Sequence, residues 1–225
     1  MFKKLLSYII PINIYQQKST ISNNLEVTWN NGQLVLDSAN TNYSFGSLQR
    51  ILKKGLSAIG YAKIVAMQDI LLLGVGAGSV IKTLVDDLHF KGKITGVEID
   101  PEIINIANKY FKLNTIPTLQ IVIADANEFV LHNNNNFDLI IIDVFQDNNL
   151  PGFLFEQKFI DSLSQMLNVN GFILFNTMVT NKEEDCRNKK YLLSFDANQF
   201  TAEKILKLEQ RNELIIIHKN SSPEY

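Results

Sequence analysis

The stretch "DILLLGVGAGSV", Asp69 to Val80, runs four apolar residues straight into three glycines at alternate positions. An unbroken apolar run of this length is how a strand buried on both faces reads. The glycines then mark a turn in which a ligand approaches the backbone closely, and the helix that follows turns its N-terminus toward that ligand. In an open parallel sheet this is where ligands bind. A dinucleotide fingerprint, G-x-G-x-x-G, would place its third glycine at position 79, but that residue is Ser79, and Gly74, Gly76 and Gly78 make the spacing G-x-G-x-G. This disfavours an NAD-dependent dehydrogenase and suits a loop that cradles an amino-acid-bearing nucleoside; the bland alternative is a tight turn with no ligand.

Outward from this loop, short apolar segments alternate with amphipathic ones. "KITGVEI", "LQIVIAD", "FDLIIID" and "GFILFN" read as buried parallel strands, and "SVIKTLVDDL", "PEIINIANKYF", "ANEFVLH" and "FEQKFIDSLSQML" as the intervening helices. Pro101 opens the second helix at a position where its missing N–H costs nothing. A polar stretch between Met178 and Tyr191 is expected to be helical, and "FTAEKILKLEQRNELIIIHK" reads as two strands joined at Arg211-Asn212. The predicted class is α/β: a Rossmann-like, doubly wound, mostly parallel sheet over residues 46–225. Residues 1–45 form a separate small unit in this reading. It holds a short surface helix in "MFKKLLSYIIP" and a β-ribbon in which "LEVTWN" and "QLVLDS" flank Asn31-Gly32, a pair that tolerates positive φ. "SFGSLQRILKKGLSAI" supplies a helix with Leu48, Ile51, Leu52, Leu56 and Ile59 on one face.

The chain of 225 residues, 46% hydrophobic, is long enough for one such domain and a small appendage. A net charge of −2 with no basic cluster gives no case for nucleic acid and points to a small-molecule substrate or a protein partner. The apolar run at the N-terminus is too short to span a membrane, so no membrane partner is expected. One cysteine, Cys186, excludes an internal disulfide framework and suits a cytoplasmic setting. His89, His132 and His218 are scattered without ligand spacing, so no metal site is expected.

Chemistry-bearing residues fall at successive strand ends. Glu98 lies twenty positions after Gly78, where an acid accepts both hydroxyls of a ribose; its neighbour Asp100, just before Pro101, is better placed as a helix cap. Asp125 is placed to accept from an adenine amine, with small Ala126 leaving room for the ring, although helix capping alone would also explain Asp125. Asp143 closes a strand of nearly pure Ile and Leu, where a carboxylate has no structural need to be; it is the candidate catalytic residue, orienting or deprotonating an amine or hydroxyl. Phe145, Gln146, Asp147, Pro151, Phe153 and Phe155 follow as an aromatic segment.

Together, "LLLGVGAGS", "GVEIDPEIINIANKYF", "ADANEFV", "FDLIIIDVF" and "LFEQKFIDSLSQMLNVNGFILFN" resemble the spermidine synthase-like branch of the class I S-adenosylmethionine-dependent methyltransferases, over roughly residues 25 to 218. The resemblance implies S-adenosylmethionine or its decarboxylated form as cofactor. The glycine loop would hold its methionine part, Glu98 the ribose and Asp125 the adenine, and Asp143 would occupy the position of the catalytic aspartate. It also implies a homodimer, and the exposed edges of the N-terminal β unit invite such pairing. Three departures from the aminopropyltransferases stand out. Their G-G-G-D/T-G loop is Gly74-Val75-Gly76-Ala77-Gly78 here, their Tyr-Gln pair aligns with Phe45 and Gly46, and their D-[ST]-[ST]-D loop is Asp143-Val144-Phe145-Gln146. The second carboxylate that would meet a polyamine is thus replaced, with Asp147 one residue further on. The leading expectation is therefore a methyltransferase acting on a small molecule. The alternatives are an aminopropyltransferase using the decarboxylated cofactor and a non-catalytic nucleoside-binding or dimerisation module.

Overall fold

The computed structural model describes residues 2–38, 42–44, 46–146, 149–209 and 211–221; Phe45 and Asp147, weighed above, lie outside them. A short helix, α1 (Phe2–Leu6), precedes an antiparallel sheet of β1 (Ile12–Ser19), β2 (Asn23–Asn30), β3 (Gln33–Ser38) and β4 (Asn42–Ser44), arranged in sequence order. Asn30 pairs with Gln33 across the turn, and Asn31 and Gly32 take φ of 48° and 76°. Two positive φ values are what a two-residue hairpin demands, so the Asn-Gly pair fixes this register.

Two helices, α2 (Ser47–Ile59) and α3 (Tyr61–Val65), lead into β5 (Asp69–Leu73). The chain then runs through α4 (Ser79–Lys82), which continues as a π-helical turn over Thr83–Asp87, to β6 (Lys93–Glu98), α5 (Pro101–Phe111), β7 (Leu119–Ile123), α6 (Ala126–His132) and β8 (Phe137–Ile142). After a short helical turn over Gly152–Phe155 come α7 (Gln157–Met166), β9 (Leu167–Met178), α8 (Lys182–Leu193), β10 (Phe200–Leu208) and β11 (Asn212–Lys219). The seven strands lie in the order β10-β11-β9-β8-β5-β6-β7. β5 to β9 are mutually parallel and β11 runs antiparallel to both its neighbours, giving the doubly wound α/β fold expected.

Alternation along the strands builds a core on each face. Ile70 and Leu72 of β5 join Leu52 and Leu56 of α2 on one side, while Leu71 and Leu73 join Ile160 and Leu163 of α7 on the other. Both sets are buried, which is why these strands read as continuous apolar runs. The final hairpin turns earlier than the sequence suggests. It closes across Leu208 and Asn212, with Glu209 at a positive φ of 46°, because β11 is aligned on β9 from Asn212 onward.

The N-terminal sheet packs onto α5. Leu25, Val27 and Leu36 bury against Ile103, Ile106 and Phe111, and reach Ala77 in the glycine loop. Polar ties fix the angle of approach: Ser19 Oγ donates to Asp100, Gln17 donates its amide to Glu102, and Lys109 lies over the Tyr15 ring at 4.6 Å. The turn between β1 and β2 is thereby held over the carboxyl edge of the large sheet.

Gly74 is glycine for a reason internal to the fold. At φ 85°, a Cβ there would lie 2.3 Å from the backbone oxygen of Asp143. Gly74→Ala is expected to destabilise the protein by about 2–4 kcal/mol in urea unfolding. Gly152→Ala, where nothing lies within 4 Å of the added atom, should change stability little.

Candidate active site

The carboxyl ends of β5, β6 and β7 open into a cavity of about 460 Å³. Gly74, Val97, Ala124 and Ala126 give it a wall of backbone and small or apolar groups, against which a flat ring can lie. Asp125 stands at its edge as the N-cap of α6, its Oδ1 accepting from the N–H groups of Asn127 (2.8 Å) and Glu128 (3.1 Å). The capping oxygen fixes the side chain, and Oδ2 carries no such bond among the described residues. Of the residues expected to bind cofactor, Gly74, Asp125 and Ala126 line the cavity directly.

Glu98 lies just behind that wall, 8% exposed, at the end of β6. Its Oε2 accepts from the N–H groups of Val75 and Gly76, both at 3.1 Å, and its Oε1 from those of Ile99 (2.9 Å) and Asp100 (3.1 Å). Burial pushes its proton affinity up, and the four donors pull it back. Gly76 thus belongs to the site through Glu98. A ribose would have to displace or share some of these bonds to reach the carboxylate. Gly78 sits further back at φ 81°, closely packed against Leu113, and Asp100 caps α5 by accepting from Glu102 N–H at 2.9 Å.

Asp143 follows β8, directly before the lining residue Val144 and with its carbonyl against Gly74; its own side chain is not among the described groups that line the cavity. Its Oδ1 accepts from Asn176 Nδ2 at 2.8 Å. Burial, aided by the nearby Glu98 charge, raises its pKa from 3.8 to about 6, against the pull of the Asn176 amide. A carboxyl tuned to this range exchanges a proton near neutral pH, which suits a group that orients or deprotonates a nucleophile.

The far wall consists of Val144, Phe145, Gln146, Pro151 and Phe153. Phe155 turns away into the core against Phe175 and Tyr191. Two lining residues had no sequence signal: Ile21 and Ser22, at the β1–β2 turn, close the cavity from the N-terminal sheet. Nothing in a local pattern connects that turn to the glycine loop some fifty positions away. Among the described residues that line the cavity there is no Lys, Arg or His, and Asp125 is the charged one. No group of three His, Cys, Asp or Glu among the described residues could hold a metal, and no described helix is long and apolar enough to cross a membrane.

The spermine/spermidine synthase domain model matches residues 50–201, which spans the glycine loop and all three acidic strand ends, and the chain belongs to that family. A polyamine aminopropyltransferase of Vibrio vulnificus is 29% identical over 125 residues, 54% of this chain and 42% of the relative. An eEF1A lysine and N-terminal methyltransferase homolog of Drosophila melanogaster is 29% identical over 118 residues, 48% of this chain and 17% of the relative. The chain therefore matches less than half the length of either. Human methyltransferase-like protein 13, solved in complex with SAH (S-adenosylhomocysteine), superposes with a TM-score of 0.62 at 22% identity, over 80% of this chain and 84% of that one. The fold is shared, and the related proteins transfer either aminopropyl or methyl groups.

Glu98→Gln should test the four-donor arrangement. An amide would turn its own N–H groups against two of the backbone donors, and a loss of about 2–4 kcal/mol is expected in chemical denaturation. Asp143→Asn should act through pH. A carboxyl whose pKa is 3.8 unfolded and about 6 folded contributes stability below pH 4 that is lost as pH rises through 6. The Asn variant should therefore gain roughly 2 kcal/mol over the wild type on going from pH 4 to pH 8, read from melting curves across that range.

Proposed function

We propose that this chain is an S-adenosylmethionine-dependent methyltransferase acting on a small molecule with an amine or hydroxyl nucleophile. The observation that carries this reading is the placement of Asp143 at the end of β8, followed by the lining residues Val144, Phe145 and Gln146 where the aminopropyltransferase pattern has further polar groups and a second acid. In this reading the adenine lies on Ala126 with Asp125 at its amine, and Ile99, exposed beside Glu98, packs against the nucleoside. Glu98 takes the ribose hydroxyls by giving up part of its hold on the backbone. The cofactor, when bound, supplies a methyl group on a sulfonium centre. Asp143 accepts a hydrogen bond or proton from the acceptor, Phe145 and Phe153 exclude water from it, and Ile21 and Ser22 close the cavity from above.

One observation favours aminopropyl transfer instead. Asp125 lines the cavity, Glu98 and Asp143 lie behind its wall, and no cation lines it among the described residues, a field that suits a cofactor lacking its carboxylate. A further part of the proposal is self-association through the N-terminal unit, supported by the exposure of Phe2, Leu5, Tyr8, Ile9 and Ile10 on one short segment.

Calorimetric titration with S-adenosylmethionine, S-adenosylhomocysteine and decarboxylated S-adenosylmethionine decides between the readings. Tighter binding of the carboxylated pair is expected; a reversed preference would favour aminopropyl transfer, and no binding by any of the three would leave a non-catalytic module. Asp143→Asn should keep S-adenosylhomocysteine affinity within about threefold and lower turnover by roughly 10²–10⁴-fold once an acceptor is found.

A further inference from the structure

"GFILFNTM" is apolar up to Asn176, and the structure buries that amide completely, at 0% exposure. A buried amide has to pair both its nitrogen and its oxygen, and an unpaired one is costly. Asn176 does so in a line. Its Nδ2 donates to Asp143 Oδ1 at 2.8 Å, and its Oδ1 accepts from Nδ2 of Asn212, the first residue of β11, at 3.0 Å. Because Asn212 donates on one side and Asp143 accepts on the other, the Asn176 amide has one favourable orientation. The Asn212–Asn176–Asp143 line crosses from β11 over β9 to the end of β8.

The surroundings of Asp143 make this line consequential. β5 contributes the Leu73 carbonyl, which accepts from Asp143 N–H, and is followed by Gly74, packed against the Asp143 carbonyl; β6 contributes the Glu98 carboxylate, which repels a second negative charge. Asp125, after β7, is a further acid, on the wall of the cavity that Val144 also lines. Asn176 is the described side chain that donates to the Asp143 carboxylate, and it engages one oxygen only.

We propose that Asn176 is a positioning residue for Asp143, held in register by Asn212, and that its amide fixes Oδ1 so that Oδ2 is the oxygen offered to the acceptor. This rests on the reading of Asp143 as the group that handles the nucleophile. Asn176 touches neither cofactor nor acceptor. It sets the rotamer of the carboxyl and favours the anion over the acid, in an environment where burial and Glu98 both favour the acid.

The test is the titration of the Asp143 carboxyl followed by carbon-13 NMR, with the signal assigned through Asp143→Asn. Asn176→Leu, close in volume, should raise the proton affinity of Asp143 about tenfold. Asn212→Asp should act in the same direction from a half-buried site, because an acceptor at position 212 attracts the Asn176 N–H groups and turns the amide oxygen toward Asp143. Asn212→Ala should give a smaller rise. If Asn176→Leu does not fold, the two Asn212 variants decide. A titration of Asp143 that stays where the wild type has it, in variants whose spectra are native-like, overturns the proposal. Binding of S-adenosylhomocysteine to the wild type, measured alongside, judges the functional reading separately: its absence would refute that reading while the titration still reports on the side-chain line.

Discussion

The carboxylate of Glu98 is the fastening on which the ligand-facing edge of the sheet depends. A carboxylate taken out of water loses several kcal/mol of solvation, and it is tolerated here because four backbone N–H groups replace the water. Those four donors come from two loops that leave adjacent strands: Val75 and Gly76 follow β5, while Ile99 and Asp100 follow β6 and lead into α5, and the bond from Gly74 N–H to the Val97 carbonyl ties the same two strand ends. The bond set therefore fixes the turn of the glycine loop and the entry of α5. Through Asp100 and its tie to Ser19, it also fixes the angle at which the N-terminal sheet meets the core. Glycine at position 74 belongs to the same constraint, since the Asp143 carbonyl passes where a side chain would begin.

Much of this architecture is legible in the chain itself because the relevant signals are local. The apolar runs of β5 to β9, the Asn31-Gly32 turn and the Asp100-Pro101 helix start each follow from a few adjacent residues acting on their own backbone. The three acids at strand ends are legible for the same reason: a charge that closes an Ile/Leu-rich strand is conspicuous. What stays hidden depends on partners far along the chain. The engagement of Glu98 with the glycine loop, the arrival of Ile21 and Ser22 over the cavity, and the amide line through Asn176 and Asn212 all join segments that no short window contains. The π-helical widening over Thr83–Asp87 and the displaced turn at Glu209 are of the same kind, set by packing and by register against β9.

Asp143 and Glu98 show how the site departs from the rest of the sheet energetically. Most of the strand positions that face the two cores hold Ile, Leu, Val and Phe, which gain from being dry. At the carboxyl edge two acids are held close together in that dry environment, one satisfied by backbone and the other by a single side-chain amide. The arrangement costs stability at neutral pH, and such a cost persists where a chemical task requires the groups in place. It also divides the labour: the well-anchored acid holds loops, and the sparsely bonded one retains an oxygen for other business.

The reach of the β1–β2 turn over the cavity carries an implication for how such a protein diversifies. The floor is built from strand ends and the glycine loop, where Gly74 and the four-bonded Glu98 carboxylate are committed to the fold, so substitutions at those positions are punished before they alter anything useful. The roof is a turn whose N–H groups at Ile21 and Ser22 donate to Ser19 Oγ but whose Ile21 side chain is exposed, so the chemistry of that side chain is free to vary without disturbing the sheet that carries it. Which molecules the cavity admits can therefore change by editing the turn around Ile21, with the strand ends beneath it left as they are. The ribbon serves as the interchangeable part of an otherwise conservative machine.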